Sequence, residues 1–317
     1  MEKRQLGNTT LQVYPVAFGG NVFGWTADEQ RSFEILDGFT GAGFNLIDTA
    51  DVYSKWAPGN RGGESETIIG NWLEKHGGRD KLVIATKVGS QMGPDKKGLS
   101  KKYILQAAED SLKRLKTDYI DLYQTHYDDL DTPIEETLEA YQQLITDGKV
   151  RYIGTSNMSP ERLLQSLEIA EKENLPRYSS LQPEYNLYAR EGYEKNYEQI
   201  AMEHNLGVLT YYSLASGFLT GKYRSEEDLD KSQRGGGIRS YLNERGFSIL
   251  KALDEVSEQY SADPASIALA WIIARPSVTA PIASVTSLGQ LADLEKAARL
   301  KLGNEDISIL DAASDWK

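Results

Sequence analysis

The amino-acid sequence predicts an α/β protein, a single (β/α)8 TIM barrel with an N-terminal β-hairpin and a long loop after the seventh strand. Three observations support this fold class. Short apolar runs alternate with longer helix-period segments, the runs number eight, and they recur at intervals that suit a closed barrel. The alternation predicts a parallel sheet with right-handed crossovers, and residues 1–317 are expected to form one domain.

The eight predicted strands are short and apolar, which is typical of parallel strands that are buried on both faces. Residues 82–86, Leu-Val-Ile-Ala-Thr, show this most clearly because they are rich in β-branched side chains. The predicted strands, in chain order, lie near residues 16–18, 45–48, 82–86, 119–123, 152–154, 180–182, 208–211 and 279–282.

Helix-period segments separate the strands. Residues 104–115 place apolar side chains four, four and three residues apart, so that they share one face of a helix. Thr132, Pro133 and Glu135 combine a capping box with a proline at the first helical position, which predicts a helix that begins at Pro133.

Two segments lie outside the eightfold pattern. Residues 3–13, with Gly7 and Asn8 at the turn, predict a β-hairpin before the first barrel strand. Residues 218–245 form a long, Gly-rich and charged loop, and loops of that length are uncommon unless they are functional or mobile.

An open, doubly wound sheet is the alternative fold. Such a sheet is expected to carry a G-x-G-x-x-G phosphate turn after an early strand. Residues 18–21, Phe-Gly-Gly-Asn, follow the first strand but lack that spacing, so the barrel is favoured.

Composition excludes several classes of function. The chain has a net charge of −12, with acidic side chains spread along its length, which disfavours nucleic acid or an anionic membrane as a partner. It contains no cysteine, so disulfides, thiolate catalysis and cysteine-ligated zinc are excluded. Neither a secretory signal nor an apolar stretch of about 20 residues is visible, so a cytoplasmic protein is expected.

Chemistry in a barrel of this type takes place at the carboxyl ends of the strands. The second predicted strand ends in Asp48 and is followed by Tyr53, the third ends in Lys87, and the fourth ends in His126. Three successive strands are thus expected to place a carboxylate, a phenol, an amine and an imidazole on one rim.

These four side chains suggest a way to reduce a carbonyl group. A carbonyl that accepts hydride becomes an alkoxide and needs a proton, but a free tyrosine has a pKa of about 10. A cation about 4 Å away, at an effective dielectric constant of about 20, contributes roughly 4 kcal/mol, or about 3 pK units. We therefore expect Lys87 to lower the pKa of Tyr53, with part of this effect offset by burial and by Asp48. A neutral His126 would orient the carbonyl. Alternatively, Lys87 forms a Schiff base, as in barrel aldolases.

Asp128, Asp129 and Asp131 form an acidic cluster after the fourth strand. Solvation of a loop explains this cluster more simply than a metal site does. The two other histidines, His76 and His204, belong to no motif and are expected on helix surfaces. We therefore predict no metal.

The segments around these side chains resemble the aldo-keto reductase family, and most closely its bacterial branch that is also similar to potassium-channel β subunits. The resemblance extends from the N-terminal hairpin to about residue 300. The matching segments are Gly-Phe-Asn-Leu-Ile-Asp-Thr-Ala at 43–50, Gly-Glu-Ser-Glu at 63–66, Ile-Ala-Thr-Lys at 84–87, Arg-Tyr-Ile-Gly-Thr-Ser-Asn at 151–157, Tyr-Tyr-Ser-Leu at 211–214 and Gly-Phe-Leu-Thr-Gly-Lys at 217–222.

The resemblance implies an oxidoreductase that uses NADP(H) to reduce a small-molecule aldehyde or ketone to an alcohol, with Tyr53 as the proton donor. It implies the catalytic residues Asp48, Tyr53, Lys87 and His126. It also implies a cofactor site. Ser156, Asn157 and Gln182 would contact the nicotinamide amide, and Tyr211 would contact the nicotinamide ring. The pyrophosphate would be contacted by Ser213, Leu214, Gly217 and Lys222, and the 2′-phosphate by Ser284, Thr286 and Gln290.

The sequence departs from many members of the family where the 2′-phosphate would bind. Residues 282–290 contain no arginine or lysine, which are the usual partners of a phosphate dianion. Arg234 or Arg239 in the long loop could supply the missing charge. Our hypothesis is that NADP(H) is used and that NAD(H) is tolerated unusually well.

Two further hypotheses concern the substrate and the functional class. Trp25, Trp56 and Tyr188 follow strands one, two and six, and we hypothesise that they line an aromatic-tolerant substrate pocket. The rival to an enzyme is a cofactor-binding sensor or auxiliary subunit similar to the channel-associated members of the family. The sequence predicts neither the physiological substrate nor the oligomeric state.

Overall fold

The computed structural model describes residues 1–232 and 235–317, and its centre is a closed barrel of eight parallel strands. Two short antiparallel strands, β1 (Arg4–Gln5) and β2 (Gln12–Val13), precede it. The barrel strands are β3 (Ala17–Gly19), β4 (Leu46–Asp48), β5 (Val83–Val88), β6 (Ile120–Thr125), β7 (Val150–Ser156), β8 (Ser180–Gln182), β9 (Gly207–Thr210) and β10 (Ala280–Ala283). Pairing of β10 with both β3 and β9 closes the barrel, which confirms the predicted (β/α)8 fold and excludes the open sheet.

Helices cover the outside of the barrel. They are α1 (Glu29–Gly41), α2 (Glu64–His76), α3 (Lys101–Leu115), α4 (Ile134–Thr146), α5 (Pro160–Lys172), α6 (Glu191–Asn196), α7 (Glu198–Glu203), α8 (Glu244–Tyr260), α9 (Pro264–Ile273), α10 (Leu288–Arg299) and α11 (Asn304–Ala313). Residues 265–273 of α9 are all buried, because this helix lies against α8, α10 and β10. Across residues 1–232 and 235–317, none of these helices is both long enough and apolar enough to cross a membrane.

Helix α4 begins one residue later than predicted. Pro133 is the N-cap residue, and Ile134 is the first helical residue. The hydroxyl of Thr132 donates to Asp129 Oδ2 at 2.7 Å, and no side chain of the described residues caps the start of the helix. The same carboxylate accepts a hydrogen bond from the backbone N–H of Leu99 at 2.8 Å. Asp129 thus joins two loops, which gives this member of the acidic cluster a structural role.

The N-terminal hairpin closes the base of the barrel, at the end opposite the carboxyl ends of the strands. Leu6 and Leu11 pack against the apolar side chains that fill the barrel interior. Arg4 donates to the backbone oxygens of Ile273 and Val278 at 2.9 and 3.1 Å. The predicted hairpin is confirmed, and it seals one end of the barrel.

The predicted long loop lies between β9 and α8. The described residues of this stretch form four short 3-10 turns, which span Ala215–Thr220, Glu226–Lys231, Gly235–Gly237 and Arg239–Tyr241. The ring of Tyr188, in the loop after β8, packs edge-on against the rings of Phe218 and Tyr241, with centroid distances of 6.3 and 4.8 Å. Asn243 Nδ2 donates to the hydroxyl of Tyr188 at 2.7 Å. Tyr188 therefore anchors both ends of the long loop.

Candidate active site

Four of the predicted site residues meet at the carboxyl ends of β4, β5 and β6. Asp48 is the last residue of β4, and Lys87 lies near the end of β5. Tyr53 lies in the turn after β4, and His126 directly follows β6. The parallel register pairs Asp48 with Ala85, so Lys87 lies two residues further along its strand and on the same face. The barrel thus brings side chains from distant positions in the chain to one rim.

The ammonium group of Lys87 makes three hydrogen bonds. It donates to Asp48 Oδ2 at 2.6 Å, to the backbone oxygen of Thr49 at 2.8 Å and to the hydroxyl of Tyr53 at 2.9 Å. Burial lowers the pKa of Lys87, and the adjacent charge of Asp48 opposes that effect. Three acceptors around one nitrogen match the three N–H donors of a protonated lysine. The geometry therefore suits an ammonium ion better than a Schiff base.

Two glutamines hold the second carboxylate oxygen of Asp48. Gln182 Nε2 donates to Asp48 Oδ1 at 2.8 Å, and Gln124 Nε2 donates to the same atom at 3.2 Å. Asp48 and Lys87 are both buried, so solvent does not screen the attraction between them. The carboxylate is fixed from two sides, and it fixes the position of Lys87 in turn.

The hydroxyl of Tyr53 has a pKa well above its usual value of 10.0. Burial raises it most, followed by the negative charge of Asp48 and by the hydrogen bond to that carboxylate. The expected net lowering of the pKa of this phenol is therefore wrong, because burial and the nearby negative charge of Asp48 raise it instead. Tyr53 keeps its proton at neutral pH.

His126 forms another part of the site wall as a neutral imidazole. Its Nδ1 lies 3.0 Å from the hydroxyl oxygen of Ser90, and its Nε2 makes no hydrogen bond within the described residues. Burial, and then the positive charge of Lys87, hold the pKa of His126 well below its usual value. Its ring centroid lies 5.9 Å from that of Tyr53, so the two side chains border the same space.

A groove of about 760 Å³ opens beside these side chains. Sites for small ligands and cofactors typically measure about 300–1,000 Å³. The predicted residues that line it are Asp48, Tyr53, Trp56, His126, Ser156, Asn157, Gln182, Tyr211, Ser213, Leu214, Gly217, Lys222, Ser284, Thr286 and Gln290. Lys87 lies behind the wall of the groove, and Trp25 and Tyr188 are not part of the wall that the described residues form.

Amide and hydroxyl groups occupy fixed positions at the end of the groove nearest Tyr53. Asn157 has a left-handed backbone conformation with φ +49°, which is uncommon for a residue other than glycine. Its Nδ2 donates to the backbone oxygen of His126 at 2.9 Å, and its Oδ1 accepts from the hydroxyl of Tyr211 at 3.1 Å. The hydroxyl of Ser156 donates to the backbone oxygen of Gln182 at 2.8 Å. These bonds orient the side chains that border the groove.

The loop after β9 has a strained backbone where it borders the groove. Ala215, Ser216 and Gly217 have φ values of +48°, +57° and +99°. Left-handed conformations of residues other than glycine cost on the order of 1–3 kcal/mol each and are found most often at functional sites. Lys222 lies beside Gly217 and is, among the described lining residues, the single lysine or arginine.

The far end of the groove lies at the junction of β10 and α10. Ser284, Thr286 and Gln290 line it, and the backbone N–H of Thr286 donates to Gln290 Oε1 at 2.8 Å. Asp293 also lines it, and burial together with the negative charge of Asp263 raises the pKa of Asp293 to about 6. This end is thus polar and carries an acid.

Arg239 and Arg234 are the two arginines that the sequence offers as partners for a 2′-phosphate at the far end of the groove. Arg239 is exposed, and its guanidinium lies 3.7 Å from Glu226 Oε2, away from the residues that line the groove. Arg234 lies outside the described residues. The described residues therefore place no arginine at the far end of the groove.

Aromatic side chains surround the mouth of the groove near Tyr53. The ring centroid of Trp56 lies 6.1 Å from that of Tyr53 and 5.6 Å from that of Trp25. Trp56, Tyr127 and Tyr212 line the groove and are 49%, 51% and 51% exposed. Large exposed aromatic surfaces of this kind are typical of sites that bind another molecule.

Sequence reasoning missed several residues of the site. Gln124 lies on β6 two residues before His126, so the alternation of a strand places both on one side and could have identified it. Ser90, Tyr127 and Asp293 lie in loops or on a helix, and their position in the site depends on contacts that a local pattern does not encode.

The sequence is similar over almost its whole length to proteins named as oxidoreductases and as channel subunits. It is 35% identical over 318 residues to a Bacillus subtilis protein named uncharacterized oxidoreductase YrpG, a match that covers 98% of this chain and 95% of the relative. It is 32% identical over 317 residues to aldo-keto reductase YhdN of Bacillus subtilis, covering 96% and 91% of the two chains. It is also 32% identical over 307 residues to a probable voltage-gated potassium channel subunit beta of Arabidopsis thaliana, covering 94% and 91%. Residues 15–315 match the Aldo/keto reductase family. The chain therefore belongs to the aldo/keto reductase family of oxidoreductases.

Proposed function

We propose that this oxidoreductase reduces aldehydes or ketones to alcohols, with NADP(H) or NAD(H) as the cofactor and Tyr53 as the proton donor. One observation carries the proposal. Lys87 binds both Asp48 and the hydroxyl of Tyr53, and Tyr53 lines a groove within the size range of cofactor sites.

The groove has the features that a nicotinamide dinucleotide requires. Near Tyr53, oriented amide and hydroxyl groups suit the nicotinamide amide, and the ring of Tyr211 suits stacking. Further along, the left-handed turn at Gly217 and the cation of Lys222 suit a pyrophosphate. The residues that would hold the cofactor are Ser156, Asn157, Gln182, Tyr211, Ser213, Leu214, Gly217, Lys222, Ser284, Thr286 and Gln290. When bound, the cofactor supplies the hydride that converts the carbonyl to an alkoxide.

Tyr53 holds the proton that the alkoxide needs. The raised pKa of Tyr53 keeps its hydroxyl protonated in neutral solution. An alkoxide is a stronger base than a phenolate, so the proton moves favourably from Tyr53 as the alkoxide develops. Lys87 already lies 2.9 Å from the phenol oxygen, and its hydrogen bond strengthens as that oxygen becomes negative. Lys87 therefore stabilises the transition state more than the ground state.

His126 orients the substrate oxygen in this proposal. Because its pKa is well below the usual value, the imidazole is neutral and does not compete with Tyr53 as an acid. In the tautomer with the proton on Nε2, Ser90 donates to Nδ1, and Nε2 donates to the carbonyl oxygen. Ser90 thereby fixes the plane of the ring.

Replacement of Tyr53 by phenylalanine tests the proposal. In stopped-flow measurements of cofactor absorbance with 4-nitrobenzaldehyde, we expect Tyr53→Phe to slow reduction by about 10²- to 10⁴-fold, the usual contribution of a general acid. Cofactor binding, followed by quenching of tryptophan fluorescence, should persist because the lost hydroxyl contacts Lys87 and Asp48.

Tyr127→Phe is the matched control. Tyr127 lines the same groove and stacks on His126, and it makes no hydrogen bond to Lys87. We expect this variant to keep the parental rate of reduction. If Tyr53→Phe also reduces aldehydes at the parental rate, the proposal is overturned.

A cofactor-binding auxiliary subunit is the second candidate function. It is motivated by the similarity to proteins named as voltage-gated potassium channel β subunits. The same stopped-flow traces, recorded with aldehyde and reduced cofactor both in excess over the protein, distinguish the two, because a reductase completes many turnovers whereas such a subunit stops after the cofactor it holds has reacted.

A further inference from the structure

Asp51 is a buried carboxyl group to which the reaction described above gives no role. It lies in the turn between Asp48 and Tyr53 and is 2% exposed. Neither of its carboxyl oxygens has a hydrogen-bond partner of normal geometry within the described residues. A buried polar group without partners is unfavourable and is rarely kept without a reason.

The backbone joins Asp51 to the strand that carries Lys87. The N–H of Asp51 donates to the backbone oxygen of Lys87 at 3.3 Å, which extends the pairing of β4 and β5 by one further contact. The charges of the two side chains also influence each other's ionisation. A change of charge at Asp51 therefore reaches Lys87 directly.

Ionisable side chains from five elements interact electrostatically with Asp51. Glu66 on α2 is buried, and its carboxylate already accepts hydrogen bonds from Arg114 at 2.7 Å and from the hydroxyl of Thr86 at 2.5 Å. The guanidinium of Arg114 is thus engaged by Glu66. The full set is Glu66 from α2, Tyr103 and Arg114 from α3, Lys87 from β5, Tyr123 from β6 and Tyr141 from α4.

The surroundings of Asp51 favour its neutral form. Burial and then the negative charge of Glu66 raise the pKa of Asp51 to about 8, against smaller opposite effects of Arg114, the Val52 N–H and Lys87. The hydroxyl of Tyr123, which also lacks a partner within the described residues, adds no positive charge to offset this. Asp51 is therefore mostly protonated at neutral pH.

We propose that Asp51 is a positioning residue for the proton transfer: its neutral carboxyl lets Lys87 act at full strength on Tyr53, and its ionised form adds a negative charge on the turn that is hydrogen-bonded to the Lys87 backbone. The inference rests on the proposed function, because it concerns the same proton transfer. An additional anion near Lys87 disfavours the Tyr53 phenolate, since like charges repel. Reduction therefore slows as Asp51 loses its proton, without any change in the groove itself.

The test compares the pH dependence of kcat/KM for aldehyde reduction in the wild-type protein and in Asp51→Asn, whose side chain is neutral at every pH. We expect the wild-type value to fall by roughly threefold or more between about pH 7 and about pH 9.5. In Asp51→Asn we expect this decline to disappear or to move up by more than about one pH unit, while kcat/KM near pH 7 stays within about threefold.

The same variant distinguishes Asp51 from Lys87 as the source of the decline. Removal of a nearby negative charge lowers the pKa of Lys87, so a decline caused by Lys87 stays in place or moves to lower pH in Asp51→Asn. Either outcome overturns the inference about Asp51. It does not affect the proposed function, which depends on the Tyr53→Phe result.

Asp110→Asn is the matched control, because Asp110 is a partly exposed acid on the same helix as Arg114 and lies 3.8 Å from Lys96. We expect its pH profile to coincide with the wild-type profile. Should Asp51→Asn fail to fold, Asp51→Ser supplies a smaller uncharged side chain for the same comparison.

Discussion

Lys87 contacts Tyr53 with one of its three hydrogen bonds, and Asp48 and Thr49 accept the other two. In the resting protein, burial and then the negative charge of Asp48 raise the pKa of Tyr53, so the phenol keeps its proton. When Tyr53 releases that proton, the ammonium donates to a negative phenolate oxygen in place of a neutral hydroxyl, and the hydrogen bond becomes stronger. At the scale of the residue, the stabilisation is therefore gained only when the proton has moved.

Lys87→Met removes that stabilisation. We expect the single-turnover rate of aldehyde reduction to fall by about tenfold to a hundredfold, because a hydrogen bond to a charged group contributes about 1.5–3 kcal/mol. The variant also leaves Asp48 buried without its cation, so we expect a loss of stability of about 3–5 kcal/mol. Stopped-flow kinetics and calorimetry measure the two effects.

Lys55→Met is the control for that experiment. Lys55 follows Tyr53 in the chain, and its ammonium donates to the backbone oxygen of Gln91 at 2.5 Å, at an exposed position. We expect it to change neither the rate nor the thermal midpoint measurably. A Lys87→Met protein with the parental rate would contradict the role given to Lys87.

The residue types and positions of Asp48, Tyr53 and Lys87 could be predicted from sequence, because parallel strands bring their carboxyl ends to one rim. The direction of the pKa shift of Tyr53 could not. It depends on the balance between burial, Asp48 and Lys87, and that balance requires distances and exposures that the chain order does not contain. The same holds for Ser90, which meets His126 only in the folded protein.

At the scale of the element, the junction of β10 and α10 bears on the choice between NADPH and NADH in the reaction that we propose. With a pKa of about 6, Asp293 is mostly ionised at neutral pH and opposes a 2′-phosphate at this end of the groove. We expect kcat/KM with NADPH to exceed that with NADH by less than about a thousandfold, which corresponds to roughly 4 kcal/mol. Steady-state kinetics with both cofactors and one aldehyde measure the ratio, and a larger preference would contradict it.

Asp293→Asn sharpens that measurement. Loss of the negative charge should raise the ratio of NADPH to NADH by about threefold to tenfold, or roughly 1 kcal/mol. Asp95→Asn removes an exposed acid that does not line the groove and should leave the ratio unchanged.

The loop after β4 presents Trp56 beside Tyr53, with about half of the indole exposed. We expect Trp56→Ala to raise KM for 4-nitrobenzaldehyde by about fivefold, because an aromatic pair contributes about 0.5–1.5 kcal/mol. KM for an aliphatic aldehyde such as butanal should change by less than about twofold. Unchanged KM values for both aldehydes would remove Trp56 from the substrate pocket.

The strands could be predicted because short buried β-branched runs carry a strong local signal. The first residue of α4 could not, since the hydroxyl of Thr132 donates to Asp129, and the backbone N–H of Leu99 in another loop holds that carboxylate. The 3-10 turns of the long loop also lacked a clear signal, because the packing of Tyr188 against Phe218 and Tyr241 holds that loop in place.

At the scale of the whole molecule, Asp51 makes folding stability depend on pH. Its pKa is about 8 in the folded protein and 3.8 when exposed, so over this range the folded protein holds a proton that the unfolded chain has released. The stability that Asp51 contributes is fully present below about pH 3.8 and is lost as the pH rises through about 8. The magnitude of the loss is on the order of 5 kcal/mol.

Asp51→Asn removes this dependence. We expect the difference in thermal midpoint between the variant and the wild-type protein to become more positive from about pH 5 to about pH 9. Calorimetry at several pH values measures it, with Asp110→Asn as the control. A difference that stays constant across this range would show that Asp51 is ionised in the folded protein.

The base of the barrel is closed by β1, β2 and the hydrogen bonds of Arg4. Tyr53 is therefore reached from the opposite face, where the groove opens. The aldehyde and the cofactor that we propose must therefore both enter and leave by the face that carries the carboxyl ends of the strands.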